Sequence, residues 1–127
     1  RQYLTSAGYA FSAAWSPNLN NPPFYVDLPF EYPSPIPIPD VSERWYQNDV
    51  FTLLDTHVNE FKSLKGIYFD VGVYDELGMN LAYPYIIQKM DAYGVEYTYE
   101  TFEGGHFNKT FSRLEKSLEF CSNALNN

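Results

Sequence analysis

Two loops of this chain carry residue types that are suited to proton transfer. His106 follows two glycines directly after an alternating, strand-like run, and Asp75 lies in an acidic loop after the preceding strand-like run. A carboxylate that accepts a hydrogen bond from an imidazole fixes the tautomer of the ring and stabilises its protonated form. The histidine can then act beside a nucleophile, first as a base and later as an acid. The sequence therefore predicts an acid–base pair of Asp75 and His106.

Other assignments of these roles are open. Asp70 lies within the strand-like run, where its side chain is expected to point into a face of the sheet. Glu76 is one residue further along the acidic loop, where a glutamate is usually solvated. His106 could instead be a turn histidine that caps the following helix. We favour Asp75 and His106 because of their places in the chain order.

The second histidine, His57, has a different setting. It lies beside Leu53, Leu54 and Phe61 on the apolar face of a predicted helix, so we expect a histidine packed in the core or at an interface. No set of histidines, aspartates and glutamates has the spacing of metal ligands, and no glycine-rich phosphate loop follows a strand. We expect neither a metal nor another cofactor.

The composition limits the partners. The net charge of −8 and the pI of about 4.5 repel polyanions, which argues against nucleic acids and anionic membranes as partners. Hydrophobic residues make up 45% and aromatic residues 19%, so a folded domain is expected. No apolar run approaches membrane-spanning length and no signal peptide opens the chain. The compartment stays open between cytoplasmic and secreted.

Cys121 is the single cysteine, which excludes an internal disulfide. It falls on an apolar stripe of the last predicted helix, so we expect a buried structural thiol.

Periodicity and turn residues predict the order of the elements. The eight prolines between Pro17 and Pro39, of nine in the chain, indicate an extended insertion rather than a helix. Gly94 is expected to cap the second helix, and Pro84 to lie in or near its first turn. Strands that alternate with helices imply a parallel sheet of about three strands with flanking helices, one edge of which should be unpaired. The expected elements are a strand at 11–16, a helix at about 45–64, a strand at 67–71, a helix at about 80–93, a strand at 95–102 and a helix at about 109–125.

Three stretches, FSAAWSP at 11–17, IYFDVGVYDEL at 67–77 and GVEYTYETFEGGH at 94–106, occur in an order that resembles a known family. The chain resembles the carboxyl-terminal half of an esterase branch of the α/β-hydrolase fold, which includes feruloyl-esterase-like, enterochelin-esterase-like and esterase-D-type enzymes. The resemblance runs from residue 1 to about 125 without the proline-rich segment. It implies a three-layer α/β-hydrolase-type fold. Residues 1–127 would be the carboxyl-terminal part of a single domain, and residues 17–44 a cap or insertion.

The resemblance also implies a function. Asp75 would be the acid and His106 the base of a Ser-Asp-His triad. Residues 2–8 would end the helix that follows the nucleophile. The serine and the oxyanion hole would lie upstream of Arg1, since no Gly-x-Ser-x-Gly occurs in the chain. The expected activity is that of a carboxylic-ester hydrolase, a serine esterase, in the full-length protein, and this fragment alone would be inactive. The alternatives are a serine peptidase or thioesterase of the same fold, and a non-catalytic hydrolase-like binding module.

The expected substrate is a small-molecule or carbohydrate-linked ester. Aromatic side chains of the proline-rich segment could stack on a ring or a sugar face, although they could equally pack on the body of the protein or on a second subunit. A homo-oligomer, or association with the amino-terminal half of the enzyme, is a possible partner arrangement. The weak candidates for substrate contact are Phe24, Tyr25 and Tyr32.

Overall fold

The structure is a computed structural model that describes residues 2–31 and 33–126. Within this part the chain is a mixed α/β protein with six helices and a parallel sheet of two strands, which confirms the α/β class but not the third strand. The chain divides into two compact units, residues 1–53 and residues 54–127. The elements are α1 (Gln2–Trp15), α2 (Pro39–Tyr46), α3 (Val50–Thr56), α4 (Val58–Ser63), β1 (Tyr68–Gly72), α5 (Met79–Tyr93), β2 (Thr98–Phe102) and α6 (Thr110–Asn126).

The predicted strand at 11–16 is wrong, because residues 11–15 complete helix α1. A short apolar run fits a buried helix as well as a buried strand, and the alanines around it favour a helix. Ser16 follows the helix and is fully buried. Its Oγ donates to the carbonyl of Asp27 at 2.7 Å and accepts from Trp45 Nε1 at 2.9 Å. The end of α1 is thus tied to two later parts of the first unit.

The proline-rich segment forms turns and two isolated antiparallel bridges before α2 begins at Pro39. The absence of helix between Pro17 and Ile38, within the described residues of that range, is as the prolines predict. Asp27 organises part of this segment, since it accepts hydrogen bonds from Asn18, Asn21 and Arg44.

The predicted helix at 45–64 is wrong in its continuity. The chain leaves the helical path after α2 and again between α3 and α4. Asp49 Oδ2 accepts the amide of Phe51 at 3.1 Å, and a side chain that binds nearby backbone competes with helix formation. His57 has φ −130° and ψ 34° and is exposed between α3 and α4. A core position for His57 is therefore wrong, and the alternative of a place at an interface stays a prediction.

The second unit contains the β1–α5–β2 crossover. The strands pair in parallel register, from Tyr68 opposite Thr98 to Gly72 opposite Phe102. Gly94 ends α5 with φ 64°, a left-handed conformation that glycine adopts without strain, so the predicted cap is confirmed. Pro84 lies inside α5 just beyond its first turn, which agrees with the expectation that it would lie in or near that turn.

The two faces of the sheet differ in character. On one face Phe69 packs against the aromatic rings of Tyr83 in α5, Tyr97 just before β2 and Tyr99 in β2, with centroid distances between 5.2 and 5.6 Å. On the other face, charged side chains of the strands meet α6. The buried core of the unit is formed by Leu54, Met90 and Val95.

Cys121 is exposed on α6, so the predicted buried thiol is wrong. The apolar residues of the same stripe, Phe111, Leu114, Leu118 and Leu125, are exposed too. The stripe was expected to mark a face packed on the core, but periodicity alone does not show which element covers such a face. In the described part of the chain, no helix combines the length and the apolar character that crossing a bilayer requires.

Candidate active site

The acidic loop and the histidine loop both leave the sheet at the carboxyl ends of its strands. β1 ends at Gly72 and leads to Asp75, while β2 ends at Phe102 and leads to His106. Because the strands are parallel, their carboxyl ends lie side by side. Asp75 Oδ2 lies 2.8 Å from His106 Nδ1. The structure thus brings together the two residues that the sequence analysis selected, in the geometry that an acid–base pair requires.

Asp75 is held as a buried anion. Only 3% of its side chain is exposed. Its Oδ1 accepts the amides of Leu77 at 2.9 Å and of Met79, the first residue of α5, at 3.2 Å. Burial by itself would raise the pKa of Asp75, but the hydrogen bonds from His106 and from the amides of Met79 and Leu77 outweigh it, so the pKa lies below its ordinary value. Asp75 is therefore ionised at neutral pH and accepts the proton on Nδ1.

His106 is open on the side that faces away from Asp75. Its side chain is 35% exposed, and the ring packs edge-on against Phe107 with centroids 4.7 Å apart. With the Nδ1 proton donated to an ionised carboxylate, Nε2 carries the lone pair of the neutral ring. Among the described residues, Nε2 has no hydrogen-bond partner. The ring is oriented by Asp75 and can accept a proton at Nε2.

Backbone hydrogen bonds join the two loops beyond the end of the sheet. The amide of Val73 donates to the carbonyl of Phe102 at 2.9 Å, and the amide of Tyr74 donates to the carbonyl of Gly104 at 3.0 Å. The separation of the acid from the base is therefore fixed by main-chain contacts as well as by their own hydrogen bond.

The alternative partners of His106 have other contacts. Asp70 points to the α6 face of the sheet, as expected for a residue inside a strand, and Arg113 Nε donates to its Oδ2 at 2.7 Å. Tyr68 also donates to this carboxylate, at 2.8 Å. Glu76 is not merely solvated, because its Oε2 accepts the backbone amide of His106 at 2.8 Å. The sequence analysis missed this contact.

Arg113 forms an ion network on the α6 face of the sheet. The sequence analysis did not predict this network. It contacts Asp70 at 2.6 Å and Glu100 at 2.7 Å, and Lys116 contacts the same Glu100 at 2.7 Å. Its guanidinium lies 4.9 Å from the centroid of the Phe102 ring. Asp70 and Glu100 face each other in the register of the sheet. Two acidic residues at paired positions of neighbouring strands indicate that a basic residue lies between them.

A cavity of about 270 Å³ adjoins the pair and is lined in part by Asp75, His106, Tyr83, Thr110 and Arg113. This volume is close to the lower end of the range for small-molecule sites. No group of three or more metal-binding side chains was found when the described residues were searched.

The weak candidates for substrate contact lie in the first unit. Phe24 and Tyr25 are exposed, and Phe24 packs on Tyr9 with ring centroids 4.7 Å apart. Tyr32 lies outside the described residues. Phe24 and Phe30 help to line a second cavity of about 610 Å³. A role of these aromatic residues in substrate binding stays a prediction.

A scan against protein-family models finds no family that matches this chain. A search of curated proteins finds no match either. The function is therefore argued from the geometry of the site.

Proposed function

We propose that this chain supplies the acid and the base of a serine esterase of the α/β-hydrolase fold, with the nucleophilic serine upstream of Arg1. The observation that carries the proposal is the 2.8 Å contact between Asp75 Oδ2 and His106 Nδ1. The positions of the two residues, beyond the carboxyl ends of neighbouring parallel strands, support it. A triad acid and base occupy such loops in this fold, in the same chain order.

The proposed reaction uses His106 twice. Nε2 first takes the proton of the serine hydroxyl while the serine oxygen attacks the ester carbonyl. The protonated ring then gives that proton to the leaving alcohol, and an acyl-enzyme remains. Nε2 next takes a proton from water, whose oxygen attacks the acyl carbon, and the proton returns to the serine as the acid product leaves.

Asp75 acts throughout without changing its own protonation. Its negative charge stabilises the imidazolium that forms in each step, and its hydrogen bond keeps the Nδ1 proton away from the reacting side of the ring. The amides of Leu77 and Met79 hold the carboxylate in place through its other oxygen. The lowered pKa of Asp75 supports this role, because the carboxylate stays charged across the pH range in which a histidine titrates.

The second candidate function is a hydrolase-like binding module without catalysis. Within the described residues, Nε2 of His106 has no hydrogen-bond partner. The Asp75–His106 pair would look the same in a protein that has no nucleophilic serine, so this observation leaves the binding module open. A serine peptidase or thioesterase of the same fold would also use this pair, because the triad is shared among these reactions.

The test uses the full-length protein and short-chain aryl esters. We expect hydrolysis with a burst of alcohol release before the steady state, which indicates a covalent acyl-enzyme. We also expect a serine-directed phosphonate to block this hydrolysis by labelling a serine upstream of residue 1. A protein that neither hydrolyses the esters nor reacts with the phosphonate would exclude the esterase and favour the binding module. A clear preference for amides or thioesters over oxygen esters would favour the peptidase or the thioesterase.

A further inference from the structure

Two consecutive carboxylates hold the same histidine by different atoms. Asp75 accepts the imidazole proton at 2.8 Å, and Glu76 Oε2 accepts the backbone amide of His106, also at 2.8 Å. The first contact orients the ring, and the second fixes the main chain from which the ring projects. The first contact thus limits rotation of the His106 ring, and the second limits movement of the backbone that carries the ring.

We infer that Glu76 is a positioning residue of this site, which sets the place of the His106 ring through the backbone amide of His106. The inference rests on the proposed function, because it concerns the base of the proposed triad.

Gly105 shows that the loop is built to admit the Glu76 carboxylate. A Cβ atom at this position would collide with Glu76 Oε2 and would lie 3.4 Å from the carbonyl oxygen of Tyr74. Gly105 is buried. A larger residue would therefore push against the end of the Glu76 side chain that accepts the His106 amide. The glycine before the histidine and the glutamate after the acid are therefore parts of one arrangement.

The amides of the histidine loop depend on side-chain acceptors. The amide of Gly105 donates to Asn108 Oδ1 at 3.1 Å, and the next amide, that of His106, donates to Glu76. Both lie between the end of β2 and the start of α6, where no ladder or helix bonds them. Removal of the Glu76 carboxylate therefore leaves water as the acceptor of the exposed His106 amide and gives the loop new freedom.

The Glu76 carboxylate is charged in this position. The amide of His106 and the amide of Glu76 itself lower the pKa of Glu76 below its ordinary value, against a smaller effect of burial. Two effects must therefore be separated: the hydrogen bond to the amide, and the negative charge close to the imidazole. Glu76→Gln keeps an oxygen acceptor and removes the charge, whereas Glu76→Ala removes both.

The experiment compares these variants in the full-length protein by aryl ester hydrolysis. A misplaced catalytic group slows the chemical step more than it weakens substrate binding. We expect Glu76→Ala to lower kcat by roughly 10- to 100-fold with KM within about threefold, and Glu76→Gln to restore most of the loss. The matched control is Glu103→Ala, which removes an exposed glutamate from the same loop and should leave kcat within about twofold. An equal loss of kcat in Glu76→Gln and Glu76→Ala, or a Glu76→Ala enzyme as active as the wild type, would overturn the inference.

A second readout does not depend on activity. Hydrogen exchange of the His106 amide reports the contact with Glu76 directly. We expect this amide to exchange at least about tenfold faster in Glu76→Ala than in the wild type or in Glu103→Ala, while the amides of β2 exchange at unchanged rates. Equal His106 exchange in all three proteins would overturn the inference. If the full-length protein hydrolyses no ester but this exchange pattern is found, the proposed function fails and the contact with Glu76 stands.

Discussion

Two carboxylates of the second unit that lie close together in sequence, Asp70 and Asp75, pair with different partners and can do different things. Asp70 lies within β1 and pairs with Arg113, with 16% of each side chain exposed. Asp75 lies just beyond β1 and pairs with His106, whose side chain is 35% exposed. Asp75 is the more buried acid, with 3% of its side chain exposed against 16% for Asp70, but the clearer difference between the two pairs is the chemistry of the partner.

The partner decides what each carboxylate can do. Burial lowers the pKa of Arg113, but the hydrogen bonds that its guanidinium donates to Glu100 and Asp70 outweigh this effect and raise the pKa above its ordinary value, so the guanidinium keeps its proton. An imidazole takes up and releases a proton near neutral pH. The Asp70 pair therefore fastens α6 to the sheet, and the Asp75 pair can move protons.

The largest effect is expected from the base. His106→Ala in the full-length protein should lower the kcat of ester hydrolysis by about 10⁴-fold or more, because the proposed triad loses its base. It should lower the free energy of unfolding by about 1–3 kcal/mol, because the buried Asp75 carboxylate keeps only the amides of Leu77 and Met79 as donors. His57→Ala is the control, since His57 is the other histidine and is exposed. Equal kcat values for the two variants would contradict the assignment of His106.

Substitutions in the ion network are expected to change the free energy of unfolding more than the rate of ester hydrolysis. Arg113→Met should lower the free energy of unfolding by about 2–3 kcal/mol, because it leaves Asp70 and Glu100 opposite each other without a cation. Urea denaturation measures this change. Lys116→Met removes a cation whose side chain is 52% exposed and should change the free energy of unfolding by less than about 1 kcal/mol. Ester hydrolysis by the folded Arg113→Met protein should stay within about tenfold of the wild type, since no proton of Arg113 is used.

The smallest effect concerns acid stability. The hydrogen bonds of Arg113 and Lys116 lower the pKa of Glu100 from 4.5 to about 2. A carboxylate whose pKa is lower in the folded state adds stability above its unfolded pKa, and this contribution is lost as the pH falls through the folded value. The difference in stability between the wild type and Glu100→Gln should be full above about pH 5, decline below pH 4.5 and vanish near pH 2. A difference that is constant from pH 7 to pH 3 would show that the Glu100 charge adds no stability.

The features that were predicted correctly depend on residues that lie close together in the sequence. Strand-like runs that end in Gly72 and in the glycines before His106 were enough to place the acid and the base on neighbouring loops. Gly94 was predicted as a cap because a left-handed residue at the end of a helix is almost always glycine or asparagine. The proline-rich segment was predicted to lack helix for an equally local reason.

The rest depended on contacts between distant residues. The run at 11–16 is ambiguous until the packing of Trp45 and Asp27 against the end of α1 is known. The breaks around α3 depend on side chains such as that of Asp49, which bind the backbone instead of following the helical period. The contact of Glu76 with the His106 amide joins residues 30 positions apart in sequence, and no periodicity reports such a contact.

The central claim is that Asp75, and not Asp70, completes a working triad with His106. The rate at which a serine-directed phosphonate labels the full-length protein tests it directly, because labelling requires an activated serine but no particular substrate. We predict that Asp75→Asn lowers this rate by about 10³- to 10⁴-fold, while Asp70→Asn, measured on protein shown to be folded, changes it by less than about tenfold. Equal labelling of the wild type and Asp75→Asn, or a larger loss in Asp70→Asn, would contradict the account.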